Sequence, residues 1–75
     1  MKTETIYIYL LDEGTDVWRP VEAENLGNNR YRIISSNNDP EDEKWEFQTG
    51  DIVSCERKIL GDSASSVDLV AVSKE

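Results

Sequence analysis

Carboxylates are the residues of this chain that stand out for the chemistry they could do. Sixteen Asp and Glu face eight Lys and Arg, so the 75-residue chain has a formal net charge of −8. From residue 38 onward ten acids face four bases, and the density peaks at Asp39, Glu41, Asp42 and Glu43. Such a run is either a solvated loop that keeps a small protein soluble or a recognition patch for a basic partner.

The recognition patch is our leading functional hypothesis, because complementary charge speeds the encounter with a partner and excludes wrong ones. The partner would be a protein with a basic surface, such as a nucleic-acid-binding protein whose phosphate contacts the carboxylates imitate. Small acidic proteins from phages and toxin loci act as inhibitors or decoys in this way. The predicted binding residues are two acidic loops and an exposed Trp as apolar anchor: Asp39, Glu41, Asp42, Glu43, Asp12, Glu13, Asp16, Trp18 and Trp45.

The residue types also argue against catalysis. The chain has no His and a single Cys, so it lacks a Cys/His zinc site and a His-based triad. Cys55 has no imidazole partner and lies in the middle of a predicted strand, so we interpret it as a small buried hydrophobic residue. The acidic loop at residues 12–16 is too short for an EF-hand, and phosphate-loop and dinucleotide motifs are missing. We therefore expect no enzyme activity, no metal and no cofactor.

Basic residues are scattered, which disfavours direct binding to nucleic acid. Arg30 and Arg32 share one strand face and are expected to pair across strands with Glu22 or Glu24. The apolar run at residues 6–11 is too short to span a membrane, and no signal-peptide pattern is present. A lone Cys suits a reducing compartment, so we expect a cytoplasmic protein.

The segments that contain these residues are predicted to be β-strands. Leu, Ile, Val and Phe make up roughly a quarter of the chain, enough for a folded core. Helical periodicity is weak, whereas β-branched and aromatic runs recur between turn residues, which is typical of a small all-β sandwich or barrel. The length allows one domain, 1–75, with frayed ends near 1–4 and 73–75. The predicted strands are 5–11, 17–24, 30–34, 45–48, 52–60 and 67–72.

Local signals refine this prediction. Asp39 followed by Pro40 is typical of a helix start, but no apolar periodicity follows, so at most one helical turn is expected near 40–44. Pro20 cannot donate a ladder hydrogen bond, which indicates an edge position or a bulge in the second strand and leaves the direction of Trp18 open. Gly27, Asn28 and Asn29 should form a hairpin turn.

Two stretches carry a resemblance. The hairpin from Val17-Trp18-Arg19-Pro20-Val21 to Tyr31-Arg32-Ile33 resembles the opening hairpin of SH3-like and Tudor-like barrels, and Trp45-Glu46-Phe47 through Gly50-Asp51 resembles a later piece of them. The whole VWRPV…YRI…WEF…GD pattern resembles a group of small, uncharacterised bacterial proteins. The resemblance implies a small SH3-like antiparallel barrel of five or six strands.

Two alternative functions stay open at this point. Tudor-like domains hold methylated Lys or Arg in an aromatic cage, and the resemblance makes Trp18, Tyr31, Trp45 and Phe47 candidates for such a cage or for the core. The run at 6–11 has two apolar faces, so its strand is either central or covered by a partner. A homo-oligomer formed through residues 6–11 is therefore the other alternative.

Overall fold

Six β-strands make up the regular secondary structure of the described residues, which in this computed structural model are 2–15, 17–37, 41–59 and 67–75. The domain is all-β over these ranges, and none of the described residues is helical. None of these stretches contains a helix that could cross a bilayer. The strands are β1 (Thr3–Leu11), β2 (Trp18–Gly27), β3 (Arg30–Ile33), β4 (Lys44–Trp45), β5 (Ile52–Lys58) and β6 (Asp68–Lys74).

Five of the strands close into a ring. The order of pairing is β2-β3-β5-β6-β1-β4, and an additional pairing of β2 with β1 completes the circuit. Neighbours in the ring are antiparallel except β1 and β6, which run parallel and meet at Tyr7 and Val70. The short β4 lies outside the ring and pairs antiparallel with the end of β1.

The core lies on the inner face of this ring and follows the alternation of the strands. Ile6, Ile8 and Leu10 of β1 are buried, whereas Tyr7 and Tyr9 are half-buried on the other face. The same alternation buries two residues in each of β2, β3 and the first half of β5, namely Val21, Ala23, Tyr31, Ile33, Val53 and Cys55. The buried cluster consists of Ile6, Ile8, Leu10, Val21, Ala23, Tyr31, Ile33, Trp45, Phe47, Val53, Cys55 and Ala71.

The turn between β2 and β3 has the predicted hairpin geometry. Gly27, Asn28 and Asn29 have φ angles of 86°, 57° and 63°, in the left-handed region that Gly and Asn tolerate best. The pairing register shifts between Asn25 and Gly27, and the Gly27 amide donates a hydrogen bond to Asn25 Oδ1 at 2.8 Å. The bulge of β2 therefore lies at residues 25–27 and not at Pro20.

Pro20 lies in β2 without disturbing it. The register with β1 is continuous from Trp18 to Glu24. The Glu22 amide donates to Ser35 Oγ, and its carbonyl accepts from Ile34, so the backbone of Glu22 points away from β1. Pro20, two residues earlier, has the same orientation, and its missing N–H therefore faces the edge of β2 that β1 does not pair with.

Three segments differ from the predicted layout. β4 contains only Lys44 and Trp45, because the chain turns back through residues 48–51, where the Gln48 amide donates to Asp51 Oδ2 at 2.8 Å. β6 extends to Lys74, two residues beyond the predicted end of the strand, and the Glu75 amide donates to the Ile52 carbonyl at 2.9 Å. Thr3 and Glu4 likewise belong to β1. Pro40 lies outside the described residues, and 41–44 contain a turn followed by β4.

Candidate functional site

Pairing between β1 and β4 brings the two predicted acidic loops together. Leu11 is the register partner of Lys44, so the residues that follow Leu11 and those that precede Lys44 leave the sheet at the same end. Asp12 Oδ2 lies 3.4 Å from Lys44 Nζ. We call the carboxylates of this end the acidic tip: Asp12, Glu13, Glu41, Asp42 and Glu43. Asp16 and Asp39, the other two predicted acids, lie outside the described residues.

Glu43 is the member of the acidic tip that is fixed to the rest of the fold. Its Oε1 accepts a hydrogen bond from Trp45 Nε1 at 3.1 Å, and its backbone carbonyl accepts one from Asn37 Nδ2 at 2.7 Å. Arg19 Nε lies 3.8 Å from the same Oε1. Glu43 is accordingly half-buried, whereas Asp12, Glu13, Glu41 and Asp42 are exposed to solvent.

Two cations of the chain neutralise part of the acidic tip. The side chains of Arg19 and Lys44 are 53% and 59% exposed, and their ion pairs with Glu43 and Asp12 are long, at 3.8 and 3.4 Å. Exposed pairs of this kind contribute between about 0 and 1 kcal/mol. Five carboxylates against two weakly held cations leave the tip negative, and it can exchange its internal cations for those of a partner.

Trp18 lies beside the acidic tip on the outer face of the sheet. It pairs with Tyr9 across β1 and β2, and the two rings meet edge to face with centroids 5.6 Å apart and planes at 68°. Tyr7 pairs with Pro20 in the next register position on that face. Because the register runs through Pro20 without a bulge, Trp18 points away from the core, which settles the direction that the sequence leaves open.

Trp45 occupies a different environment from the one predicted for an anchor. Its side chain is only 4% exposed and belongs to the core, so it has no face to offer to a partner. Tyr31 and Phe47 are also buried in the core, on the opposite side of the sheet from Trp18. These four rings therefore do not line one open cage, and no pocket is present within the described ranges.

The arginines of β3 form the cross-strand pairs that their spacing predicts, with one change of partner. Arg32 Nη1 donates to Glu24 Oε1 at 3.0 Å, and Arg30 Nε donates to Glu75 Oε2 at 2.6 Å rather than to Glu22. Arg30 also pairs in register with Ser54, so β3 and β5 lie side by side there. Both guanidinium groups are thus engaged with acids of their own chain.

Chemically reactive groups are few in the part of the chain that the structure describes. Cys55 is 3% exposed, and burial raises the pKa of its thiol to about 11, which keeps the sulfur protonated and unreactive. No group of three or more potential metal ligands occurs among the described residues. The groups that the described residues present at this surface are carboxylates and aromatic rings.

The sequence identifies both acidic loops but gives no reason for them to lie side by side. Their union depends on the bridge between residues 10–11 and 44–45, a contact between segments more than thirty residues apart that local patterns do not reveal. The role of Lys44 as the link between them was missed for the same reason. The aromatic surface beside these loops could be recognised from the sequence, because Tyr7, Tyr9 and Leu11 form a second apolar face on β1.

Comparison with known proteins adds no relative to this picture. No family model, curated protein or solved structure matches the chain.

Proposed function

We propose that this chain is a non-catalytic acidic interaction module, an inhibitor or decoy that binds the basic surface of a partner protein such as a nucleic-acid-binding protein. The observation that carries the proposal is the meeting of the two acidic loops at the β1–β4 bridge, where Leu11 pairs with Lys44. This bridge turns two separate acidic loops of the sequence into one surface.

The charge of the whole molecule supports the proposal. A net charge of −8 on 75 residues produces a field that attracts basic proteins from a distance, and the acidic tip concentrates it at one end of the sheet. The exposed carboxylates are acceptors for Lys and Arg, as phosphates are, so a protein built to bind nucleic acid offers the complementary surface.

The scaffold that we propose is an SH3-like barrel. The closed ring of five strands, the long β2 that pairs with both β1 and β3, and the core within the ring all support it. Such a scaffold presents its loops rigidly at the ends of strands, as a binding surface requires. Binding on this scaffold needs no pocket, because protein interfaces are largely flat and take their specificity from complementary charge and a few anchors.

The proposal is tested by capturing partners on the immobilised chain and then measuring the purified partner's affinity. We expect a partner with a basic surface, whose Kd rises at least about tenfold between about 50 mM and about 300 mM NaCl, since screening weakens exposed charge pairs. The double variant Glu41→Gln/Asp42→Asn should weaken binding about tenfold by slowing association. Neither side chain takes part in an ion pair that the structure shows, so this variant should fold normally.

The matched control removes two charges elsewhere. Glu24 lies opposite Thr3, at the far end of β2 from Trp18, and Glu56 lies on β5, so Glu24→Gln/Glu56→Gln gives the same net charge as the tip variant without altering the acidic tip. This control should change the affinity less than about threefold, because it alters only the long-range field. A partner without a basic surface, an affinity that salt does not change, or equal losses in the two double variants would each contradict the proposal.

A further inference from the structure

The outer surface of β1 and β2 carries ring-bearing side chains in two successive register pairs. Tyr9 is opposite Trp18, and Tyr7 is opposite Pro20. We call these four residues the aromatic face. The rings of Tyr7, Tyr9 and Trp18 are half-buried and Pro20 is exposed, while the core is filled from the other side of both strands. Aromatic surface that the core does not use is typical of an interface.

The aromatic face adjoins the acidic tip. Leu11, 40% exposed, leads from β1 directly into Asp12. Leu11 lies on the same face of β1 as Tyr7 and Tyr9, and the Nζ of its register partner Lys44 lies 3.4 Å from Asp12 Oδ2. Tyr9 is two residues from Leu11, about 7 Å along the strand, so a ligand on the Tyr9–Trp18 pair can extend over Leu11 to Asp12.

We propose that the aromatic face and the acidic tip together form the docking site for an arginine-bearing basic segment of the partner protein. An arginine guanidinium lies flat on the Trp18 and Tyr7 side of the face, and further arginines pair with Asp12, Glu41 and Asp42. This inference rests on the proposed function and specifies the chemistry of its partner.

Arginine fits this surface better than lysine does. Its guanidinium is planar and weakly hydrated, stacks on aromatic rings, and binds a carboxylate through two parallel N–H groups. A lysine ammonium is a strongly hydrated point charge that gains less from the rings. The surface combines rings and carboxylates, and the guanidinium is the side-chain group that uses both.

The chain's own Arg19 indicates which group the tip accepts. A guanidinium already lies beside Glu43, held at 3.8 Å with its side chain 53% exposed, so a partner's arginine in a closer pair can replace it at little cost. A second copy of the chain is a poorer occupant for the same face. It would bring another net charge of −8 against the acidic tip, which repels it.

The test is a calorimetric titration of the full chain with two synthetic peptides of equal length and charge, one with arginines and the other with lysines at the same positions. We expect the arginine peptide to bind about tenfold more tightly. Trp18→Thr should lower its affinity about tenfold and that of the lysine peptide less than about threefold. Trp18→Phe, which retains a ring, should stay within about threefold of the unaltered chain.

Two further variants keep the test independent of any folding defect in Trp18→Thr. Tyr7→Thr removes a second ring from the same face and should likewise weaken arginine-peptide binding preferentially. Val67→Thr is the matched control, because Val67 is a 53% exposed apolar residue that precedes β6 and lies about 10 Å along the strands from the level of Tyr7. It should leave both affinities unchanged.

The outcomes separate this inference from the proposed function. Equal affinities for the two peptides, lowered by Glu41→Gln/Asp42→Asn but not by Trp18→Thr or Tyr7→Thr, would overturn the docking site and leave the acidic module standing. Binding of neither peptide, together with a captured partner that is not basic, would overturn both. A dimer in sedimentation equilibrium that Tyr7→Thr dissociates would show that a second copy covers the face.

Discussion

The indole N–H of Trp45 donates to Glu43 Oε1 at 3.1 Å, although the ring lies in the core and the carboxylate belongs to the acidic tip. The contact satisfies the one polar atom of a ring that is only 4% exposed. It also fixes the position of the acidic loop relative to β4. The same carboxylate therefore contributes to stability and to the charge of the tip.

Glu43→Ala should destabilise the fold by about 1–2 kcal/mol, because it leaves the Trp45 N–H without its acceptor in a buried position. Glu43→Gln keeps an oxygen acceptor and should cost less than about 1 kcal/mol. Urea denaturation followed by tryptophan fluorescence measures both. Glu46→Ala is the control, since Glu46 is an exposed neighbour whose loss should change stability by no more than about 0.5 kcal/mol. Equal effects of Glu43→Ala and Glu46→Ala would show that the hydrogen bond does not stabilise the fold.

The two faces of β1 should respond very differently to truncation. Ile8 is fully buried, and Ile8→Ala should cost about 2–5 kcal/mol through lost contacts and the cavity that remains. Leu11, three residues along, is 40% exposed, and Leu11→Ala should cost less than about 1 kcal/mol. Thermal unfolding of the two variants tests this, and a Leu11→Ala loss as large as that of Ile8→Ala would place Leu11 in a buried environment.

The sequence predicts the strands well because their signals are local. Alternation identifies Ile6, Ile8 and Leu10 as one face, and the Gly-Asn-Asn turn fixes the β2–β3 hairpin through backbone conformations that few other residues tolerate. β1, β2, β3, β5 and β6 each lie within a few residues of a predicted strand. Alternation also finds Tyr31 and Ile33 as inward-facing residues of β3, and both are buried.

The site is less predictable because it depends on contacts between distant segments. Which side Trp18 takes depends on whether Pro20 bulges, and that is decided by the register with β1 rather than by β2 itself. The local sequence does not distinguish Trp45 from Trp18. Trp45 is the register partner of Leu10, a core residue of β1, and is therefore buried, whereas Trp18 is not. The partner of Arg30 is Glu75, forty-five residues away.

The β2–β3 turn should be sensitive to a methyl group at one position. Gly27 has a φ of 86°, and no atom would obstruct an added Cβ, so any cost of Gly27→Ala is conformational. We expect about 1–2 kcal/mol, because an L-residue is disfavoured in this region. Asn28→Gly, in the same turn with a φ of 57°, should be neutral within about 1 kcal/mol. Urea denaturation compares the two, and a neutral Gly27→Ala would mean that the turn relaxes to another conformation.

Because Cys55 is buried, the free energy of unfolding of the domain should decrease at alkaline pH. Burial raises the pKa of its thiol from 9.0 to about 11, so the unfolded chain releases this proton at a lower pH than the folded chain does. Deprotonation therefore favours unfolding. The stabilisation from the protonated thiol is complete below pH 9 and is lost as the pH rises toward 11.

Two pKa units correspond to at most about 3 kcal/mol, which sets the upper limit of this loss. The free energy of unfolding should therefore fall more steeply with pH in the unaltered chain than in Cys55→Ala. Tyr31, whose pKa is raised by burial, by Glu4 and by the charge of the Cys55 thiolate, is coupled to this thiol, so the difference between the two proteins includes its response. Urea denaturation at intervals between pH 8 and pH 11 measures the two slopes. Parallel slopes would show that the thiol is not buried in solution.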